Sequence, residues 1–222
     1  MRIDADTLRE MAAALPAEDR DEMAIPSYLH KNPALRWMAW KRIEVMARLI
    51  AQHCPQGGRV LDYGCGTGVL FADELAKASA VVGVDLVLDA AKMLVEKRQL
   101  GGVTLLKPDV AMRDVADASV DVIVAAEVLE HIDEPAEVLA FFKRVLKPGG
   151  CLLVSLPTEN AAYRFGRRLA GFSGHYHEHN AAHIDTNIQK GGFRLDQSSY
   201  IPMRGPFAIY FVGVYRVGAG GR

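Results

Sequence analysis

A chain of 222 residues, 50% apolar and 24% charged, is long enough for one well-buried domain with attachments and short for two. Its formal net charge of −1 offers no global attraction to a polyanion, which argues against nucleic acid as a partner, and no apolar run reaches the roughly 18 residues of a membrane span. The N-terminal MRIDADTLREMAAALPAEDRDE lacks the apolar core of a secretion signal, so a cytoplasmic address is expected, with the widely spaced Cys54, Cys65 and Cys151 as reduced thiols.

Residues 1–55 carry an acidic short helix and then ALRWMAWKRIEVMARLIAQH, a long amphipathic one, and are expected to form a helical cap ahead of a domain over 56–222. From residue 59 short apolar runs alternate with helical ones. The strand runs are RVLDYG (59–64), AVVGVD (80–85), VTLLK (103–107), VDVIVAAE (120–127) and GCLLVSLP (150–157). They are rich in Val and Leu without clean alternation, as strands covered on both faces are. The helical runs cover roughly 69–78, 88–99 and 135–146, the last with Pro135 early and a stop at Pro148-Gly149-Gly150. This alternation predicts right-handed crossovers and an open, mostly parallel α/β sheet with helices on both faces. Residues 158–180, TENAAYRFGRRLAGFSGHYHEHN, interrupt the last crossover before a helix that starts near Ala181. They leave the carboxyl end of a strand, where open sheets bind ligands, and are expected to act as a substrate lid. After residue 193, FRLDQSSY and AIYFVGVYRV follow one another across the turn-rich IPMRGP and predict an antiparallel hairpin at the sheet edge.

The first strand run leads into VLDYGCGTG (60–68), with glycines at alternate positions, Gly64, Gly66 and Gly68. A dinucleotide fold needs G-x-G-x-x-G, the third glycine letting the helix pack closely as the pyrophosphate meets its N-terminus. Val69 stands at that position here, which argues against a nicotinamide cofactor. Asp62, two residues before the first glycine, projects a carboxylate into the same turn. That charge repels a pyrophosphate but suits a ligand bearing an ammonium and a sulfonium. Asp85, about 20 residues after the first glycine, can accept hydrogen bonds from both hydroxyls of a ribose. In KPDVAMRD, after the third strand run, Asp109 can take an adenine amino group while the Val110 amide donates to a ring nitrogen; otherwise Asp109 caps a turn. The fourth strand run ends in AAEVLEHIDEP.

Taken in order, VLDYGCGTG, VVGVD, PDV, VDVIVAAEVLEHIDEP and LKPGGCLLVSLP resemble the successive motifs of class I S-adenosylmethionine-dependent methyltransferases, tightly over residues 58–157 and loosely through 191–193. The resemblance implies a Rossmann-like seven-stranded sheet of order 3-2-1-4-5-7-6, and S-adenosyl-L-methionine as cofactor with S-adenosyl-L-homocysteine as product. It also implies cofactor contacts from Asp62, Tyr63, Gly64, Cys65, Gly66, Gly68, Asp85, Leu86, Asp109, Val110 and Glu127. The cofactor carries its own electrophile, so the protein chiefly aligns a nucleophile and excludes water. A hydroxyl acceptor must lose a proton, and His131 with His175 of the lid are the candidate catalytic bases, with His177, His179 and His183 as further histidines in reach of that role. In ubiquinone-pathway O-methyltransferases and small-RNA 2'-O-methyltransferases an E-x-x-E-H stretch supplies metal ligands, completed by a histidine after strand five. Glu127, Glu130, His131 and His175 or His177 match that pattern. The other reading makes the segment a turn whose backbone touches the cofactor, and a mechanism without metal is the expectation adopted.

Both segments outside the alternating core are basic and aromatic. Arg36, Lys41, Arg42 and Arg48 lie beside Trp37, Met38 and Trp40, while Tyr163, Phe165 and Phe172 join Arg164, Arg167 and Arg168. One reading is a helix packing its apolar stripe on the sheet with a charged outer face; the other is a mouth for an apolar, acidic acceptor or a peripheral contact with an anionic membrane. The sequence therefore points to methylation of a small-molecule or lipid-like acceptor at a hydroxyl oxygen. An RNA 2'-O-methyltransferase and a non-catalytic cofactor-binding partner are the alternatives, and the oligomeric state is open.

Overall fold

In the computed structural model, which describes residues 2–16, 19, 23–158, 160 and 181–218, the apolar runs become strands β1 (Gly58–Tyr63), β2 (Ala78–Val84), β3 (Val103–Leu106), β4 (Val120–Ala126) and β5 (Leu146–Pro157). The C-terminal runs become β6 (Phe193–Ile201) and β7 (Tyr210–Val217). All seven belong to one sheet of order β3-β2-β1-β4-β5-β7-β6. The pairs β1–β2, β2–β3 and β4–β5 are parallel, and β7 runs antiparallel to both β5 and β6. The C-terminal hairpin therefore joins the sheet as expected. Strand residues such as Val60, Leu61, Val122, Ile123, Leu152 and Leu153 have no exposed surface, which is why their runs lack alternation.

Two compact units make up the chain, Met1–Val115 and Ala116–Arg222. In the first, α1 (Ala5–Ala14) is capped by Asp4, whose side chain accepts from the Thr7 amide, and is followed by the short α2 (Ile25–Tyr28). Next comes α3 (Pro33–His53), the long amphipathic helix, opened by the Asn32 cap and Pro33. It buries Ala39, Trp40, Ile43, Met46 and Ile50 and packs on α4 (Phe71–Leu75), the helix after the glycine turn. That helix is shorter than the run at 69–78, because the chain closes it at Ala76 and enters β2 two residues later. The helix α5 (Asp89–Arg98) follows β2 and packs on α1, where the Lys97 ammonium meets the Glu10 carboxylate. KPDVAMRD departs from its reading as a loop: Pro108–Asp114 is a helix, α6, with the fixed φ of Pro108 preset for the first turn.

In the second unit a 3₁₀ turn (Leu129–His131) leads from β4 to α7 (Pro135–Val145). Pro148-Gly149-Gly150 is not a clean stop. Leu146 already pairs with Val120 and Cys151 pairs with Val122, so residues 147–150 bulge opposite Asp121, whose carboxylate accepts from the Lys147 ammonium at 2.7 Å. The helix α8 (Ala181–Lys190) packs on α7 and on the 3₁₀ turn, and the buried Tyr215 hydroxyl of β7 donates to its Asp185 at 2.7 Å. No described helix is long and apolar enough to cross a membrane.

Candidate active site

The glycine turn is built from backbone bonds that tie the end of β1 to the end of β2. The Gly64 and Cys65 amides both donate to the Val84 carbonyl, at 2.8 and 3.1 Å, and the Gly68 amide returns to the Cys65 carbonyl at 2.8 Å. Gly66 and Gly68 sit at φ +52° and +72°, where side chains are disfavoured, for different local reasons. A Cβ on Gly68 would lie 2.5 Å from the Phe71 ring, whereas one on Gly66 would point into open space. The outer edge of the turn at Gly66 is thus bare backbone that a ligand can approach.

Asp85 lies directly beneath that edge. One carboxylate oxygen accepts from the Gly66 amide at 2.7 Å and the other from the Val87 amide at 3.2 Å. Each oxygen has two lone pairs, so each keeps one acceptor position, the requirement for gripping two ribose hydroxyls. Leu86, the next residue, is 73% exposed, and its carbonyl accepts from the Lys107 ammonium. On α6 the first intrahelical bond runs from the Ala111 amide to the Lys107 carbonyl, at 2.9 Å. The amide of Val110 therefore precedes the hydrogen-bonded ladder and remains a donor at the helix N-terminus, beside an exposed Asp109. Asp109 lies in the first turn of a helix and not in an isolated turn.

Asp62 differs from its expected state. It is 2% exposed, and burial together with the Asp85 charge pushes its carboxyl up to about 8. It therefore carries a proton at neutral pH until a cation approaches, and an ammonium beside it is what returns the carboxylate. Tyr63 and Cys65 are buried on either side of Gly64, and burial, then the charges of Asp62, Asp85 and Glu74, push the Cys65 thiol up.

Glu74 is the site-adjacent residue that the sequence reading missed. It stands on α4 with no exposed surface, and neither carboxyl oxygen has a hydrogen-bond partner. Burial, then the charges of Asp62 and Asp73, hold its carboxyl well above the ordinary range. The shift of Asp62 itself comes from burial first and then from the Asp85 charge. A signal was present: Leu70, Phe71 and Glu74 share the inward stripe of one helix, where a carboxylate is out of place.

In the second unit, Glu127 follows the last residue of β4 at φ +55°, a left-handed conformation costing a non-glycine residue about 1–3 kcal/mol, fixed by its amide donating to the Ser155 carbonyl at 2.9 Å. In the 3₁₀ turn Glu130 is 4% exposed, whereas the next residue, His131, is exposed. Among the described residues no group of three or more His, Cys, Asp or Glu is arranged to hold a metal ion. His175, His177 and His179 lie outside the described residues, as does most of the expected lid; His183 is on the exposed side of α8. Cys54, Cys65 and Cys151 are all buried, and none is in a disulfide.

Comparison with known proteins identifies the pattern. A family model described as a methyltransferase domain matches residues 36–198. A probable S-adenosylmethionine-dependent methyltransferase of Mycolicibacterium smegmatis is 32% identical over 189 residues, 85% of this chain and 69% of that protein. The ubiquinone biosynthesis O-methyltransferase of Paracidovorax citrulli is 38% identical over 115 residues, 48% of this chain and 46% of that protein. The match thus spans about half the length of that relative. Solved structures share the fold. A methyltransferase from Aquifex aeolicus superposes with a TM-score of 0.64 at 19% identity over 97% of this chain and all of that one. An N-methyltransferase from Bradyrhizobium japonicum, in complex with S-adenosyl-L-homocysteine, gives 0.67 at 15% identity over 90% of this chain and 97% of that one.

Proposed function

The chain belongs to the class I S-adenosylmethionine-dependent methyltransferases, and we propose that it methylates a hydroxyl oxygen of a small or lipid-like acceptor. The observation that carries the choice of oxygen is the match to relatives named ubiquinone biosynthesis O-methyltransferases, together with an exposed His131 at the end of the 3₁₀ turn that follows β4. When bound, the cofactor supplies a methyl on a sulfonium, and its departing sulfur leaves as a neutral thioether.

The residues of the chain do the rest. Asp85 accepts from the ribose hydroxyls with the two lone-pair positions left by Gly66 and Val87. Asp62 ionises against the ammonium, the Val110 amide donates to the adenine and Asp109 accepts from its amino group, while Leu86 covers a face of the base. The backbone around Tyr63, Gly64, Cys65, Gly66 and Gly68 lies against the amino-acid end, and the strained turn at Glu127 contributes backbone contacts. As the acceptor oxygen attacks the methyl carbon, its proton passes to the imidazole of His131, with His175 of the 158–180 lid as a second base and the lid as the cover that excludes water. Neither histidine needs a metal for this. Peripheral contact with an anionic membrane fits a lipid-like acceptor and belongs to the same proposal.

The test is an incubation of the protein with cofactor labelled by a trideuterated methyl group and a mixed metabolite and lipid extract, read by untargeted mass spectrometry. A labelled small molecule or lipid whose new methyl is on oxygen supports the proposal. Label appearing only in RNA, only on nitrogen or carbon, or nowhere overturns it.

A further inference from the structure

Two of the four exposed large apolar side chains among the described residues stand on one turn of the second unit: Met203 is 62% and Phe207 69% exposed. The turn joins β6 to β7, and all of residues 202–207 are exposed between the buried Ile201 and Ala208. Apolar side chains gathered on one tip mark a contact surface, where singly scattered ones do not.

The tip is held at its base. The Ile209 amide donates to the Ile201 carbonyl at 2.7 Å and the Ala208 amide to the Gly205 carbonyl at 3.0 Å, while Tyr200 and Phe211 meet edge to face with ring centres 5.5 Å apart. Pro202 and Pro206 fix φ and carry no N–H, so the tip has fewer backbone donors to strip of water than its length implies. Arg204 is its single charge. The guanidinium lies 5.7 Å from the Tyr200 ring centre, and no carboxylate among the described residues pairs with it. None of residues 197–222 is Asp or Glu, so the sequence around the tip holds nothing that repels an anionic surface.

The turn also stands on the ligand-binding side of the sheet. β7 runs antiparallel to β5 with Tyr210 opposite Pro157, which places the turn at the carboxyl end of β5. The chain leaving β5 is bonded to it: the Thr158 amide donates to the Ile209 carbonyl at 3.0 Å, and the Thr158 hydroxyl and the Asn160 side-chain amide both donate to the Ala208 carbonyl at 2.6 Å. Building on the reading of the acceptor as lipid-like, we propose that the 202–207 tip docks on an anionic lipid bilayer. Met203 and Phe207 enter the interface, Arg204 meets the lipid phosphates, and the acceptor reaches the carboxyl end of the sheet from the membrane. A tip of this size is far smaller than the roughly 20–30 residues that each side of a stable protein interface contributes. Shallow burial of a few apolar side chains beside a cation is instead enough for reversible contact with a bilayer.

The experiment introduces a cysteine by Met203→Cys or, as a control on β6, by Ser198→Cys at an exposed position, and labels it with an environment-sensitive fluorophore. Cys54, Cys65 and Cys151 are buried, and wild type carried through the same labelling gives the background. The labelled proteins are titrated with vesicles of phosphatidylcholine alone and of phosphatidylcholine with phosphatidylglycerol in equal parts, and unlabelled variants are followed by co-sedimentation with the same vesicles. Expected is a saturable blue shift at 203 with the anionic vesicles, none at 198, and weaker binding to the neutral ones. Phe207→Ser should weaken sedimentation about tenfold or more, the worth of one large apolar side chain leaving water. Arg204→Gln should weaken it severalfold on anionic vesicles only, and Arg204→Lys should restore it in part. Melting temperature and S-adenosyl-L-homocysteine binding should stay as in wild type in all of these. No binding to either vesicle, equal binding to both, equal shifts at 203 and 198, or wild-type binding by both Phe207→Ser and Arg204→Gln overturns the proposal. So does a shift at 203 with a lipid-free protein extract but not with vesicles, which would make the tip a protein-docking surface. Vesicle binding requires neither cofactor nor acceptor, so its failure leaves the methyl-transfer reading standing, and methylation confined to a water-soluble acceptor would sink the lipid-like acceptor without touching the vesicle result.

Discussion

Replacing Glu74 by methionine should stabilise the protein, and more so at higher pH. The side chain has no exposed surface and both its oxygens lack partners, and a buried unsatisfied polar group costs about 1–3 kcal/mol. Methionine keeps the length and flexibility and removes that cost. Because burial and the Asp62 and Asp73 charges raise the folded-state pKa, the native protein holds a proton that the unfolded chain releases above about 4.3. Stability therefore falls as pH rises from there towards the folded pKa, by up to about 1.4 kcal/mol per pH unit. Asp62, raised to about 8, acts in the same direction up to that pH and is retained in the variant. At pH 5 the variant should exceed wild type by about 1–3 kcal/mol, or about 2–12 °C in Tm for a chain of this size, and the gap should widen between pH 5 and pH 8. Thermal and urea melts at pH 5, 6, 7 and 8 measure this. A less stable variant, or a gap that does not change with pH, would refute the account of Glu74 as a buried, partnerless acid.

Three further outcomes follow from the half-site geometry. Asp85→Ala should weaken S-adenosyl-L-homocysteine binding by about tenfold or more in calorimetry, from the lost charged hydrogen bonds; equal affinity would mean the ribose lies elsewhere. Gly66→Val should abolish cofactor binding, since its Cβ projects into the open edge of the turn from a φ of +52° that a branched residue resists; retained affinity would show that the ligand does not approach there. Exhaustive chelation should leave turnover unchanged, whereas loss rescued by magnesium or manganese would turn Glu127, Glu130 and His131 into ligands.

Much of the fold was legible because its signals are local. Five apolar runs became strands, four of them largely buried and the third, β3, a half-buried edge, while FRLDQSSY and AIYFVGVYRV became the hairpin at the other edge. The glycine spacing, with Val69 where a third dinucleotide glycine would stand, argues against a pyrophosphate site from a handful of residues, whereas the charge argument from Asp62 does not carry over to a buried, raised carboxyl. What escaped depends on the third dimension or on short elements. α6 is one short helix whose only strong start signal, Pro108, equally opens a turn. Pro148-Gly149-Gly150 reads as a break, yet the pairing of Leu146 with Val120 makes it a bulge within β5. The protonation of Asp62 arises from burial beside Asp85, distant in sequence, and Glu74 reads as a surface charge until Leu70 and Phe71 fix which side of α4 faces inward.

The central claim is that the turn from Asp62 to Gly68, with Asp85, holds S-adenosylmethionine and not a dinucleotide. Isothermal titration with S-adenosyl-L-methionine, S-adenosyl-L-homocysteine and NAD tests it most directly. The account predicts that the first two bind at one per chain and that NAD shows no heat of binding. Tight NAD binding, or the absence of binding by both sulfur ligands, would contradict it.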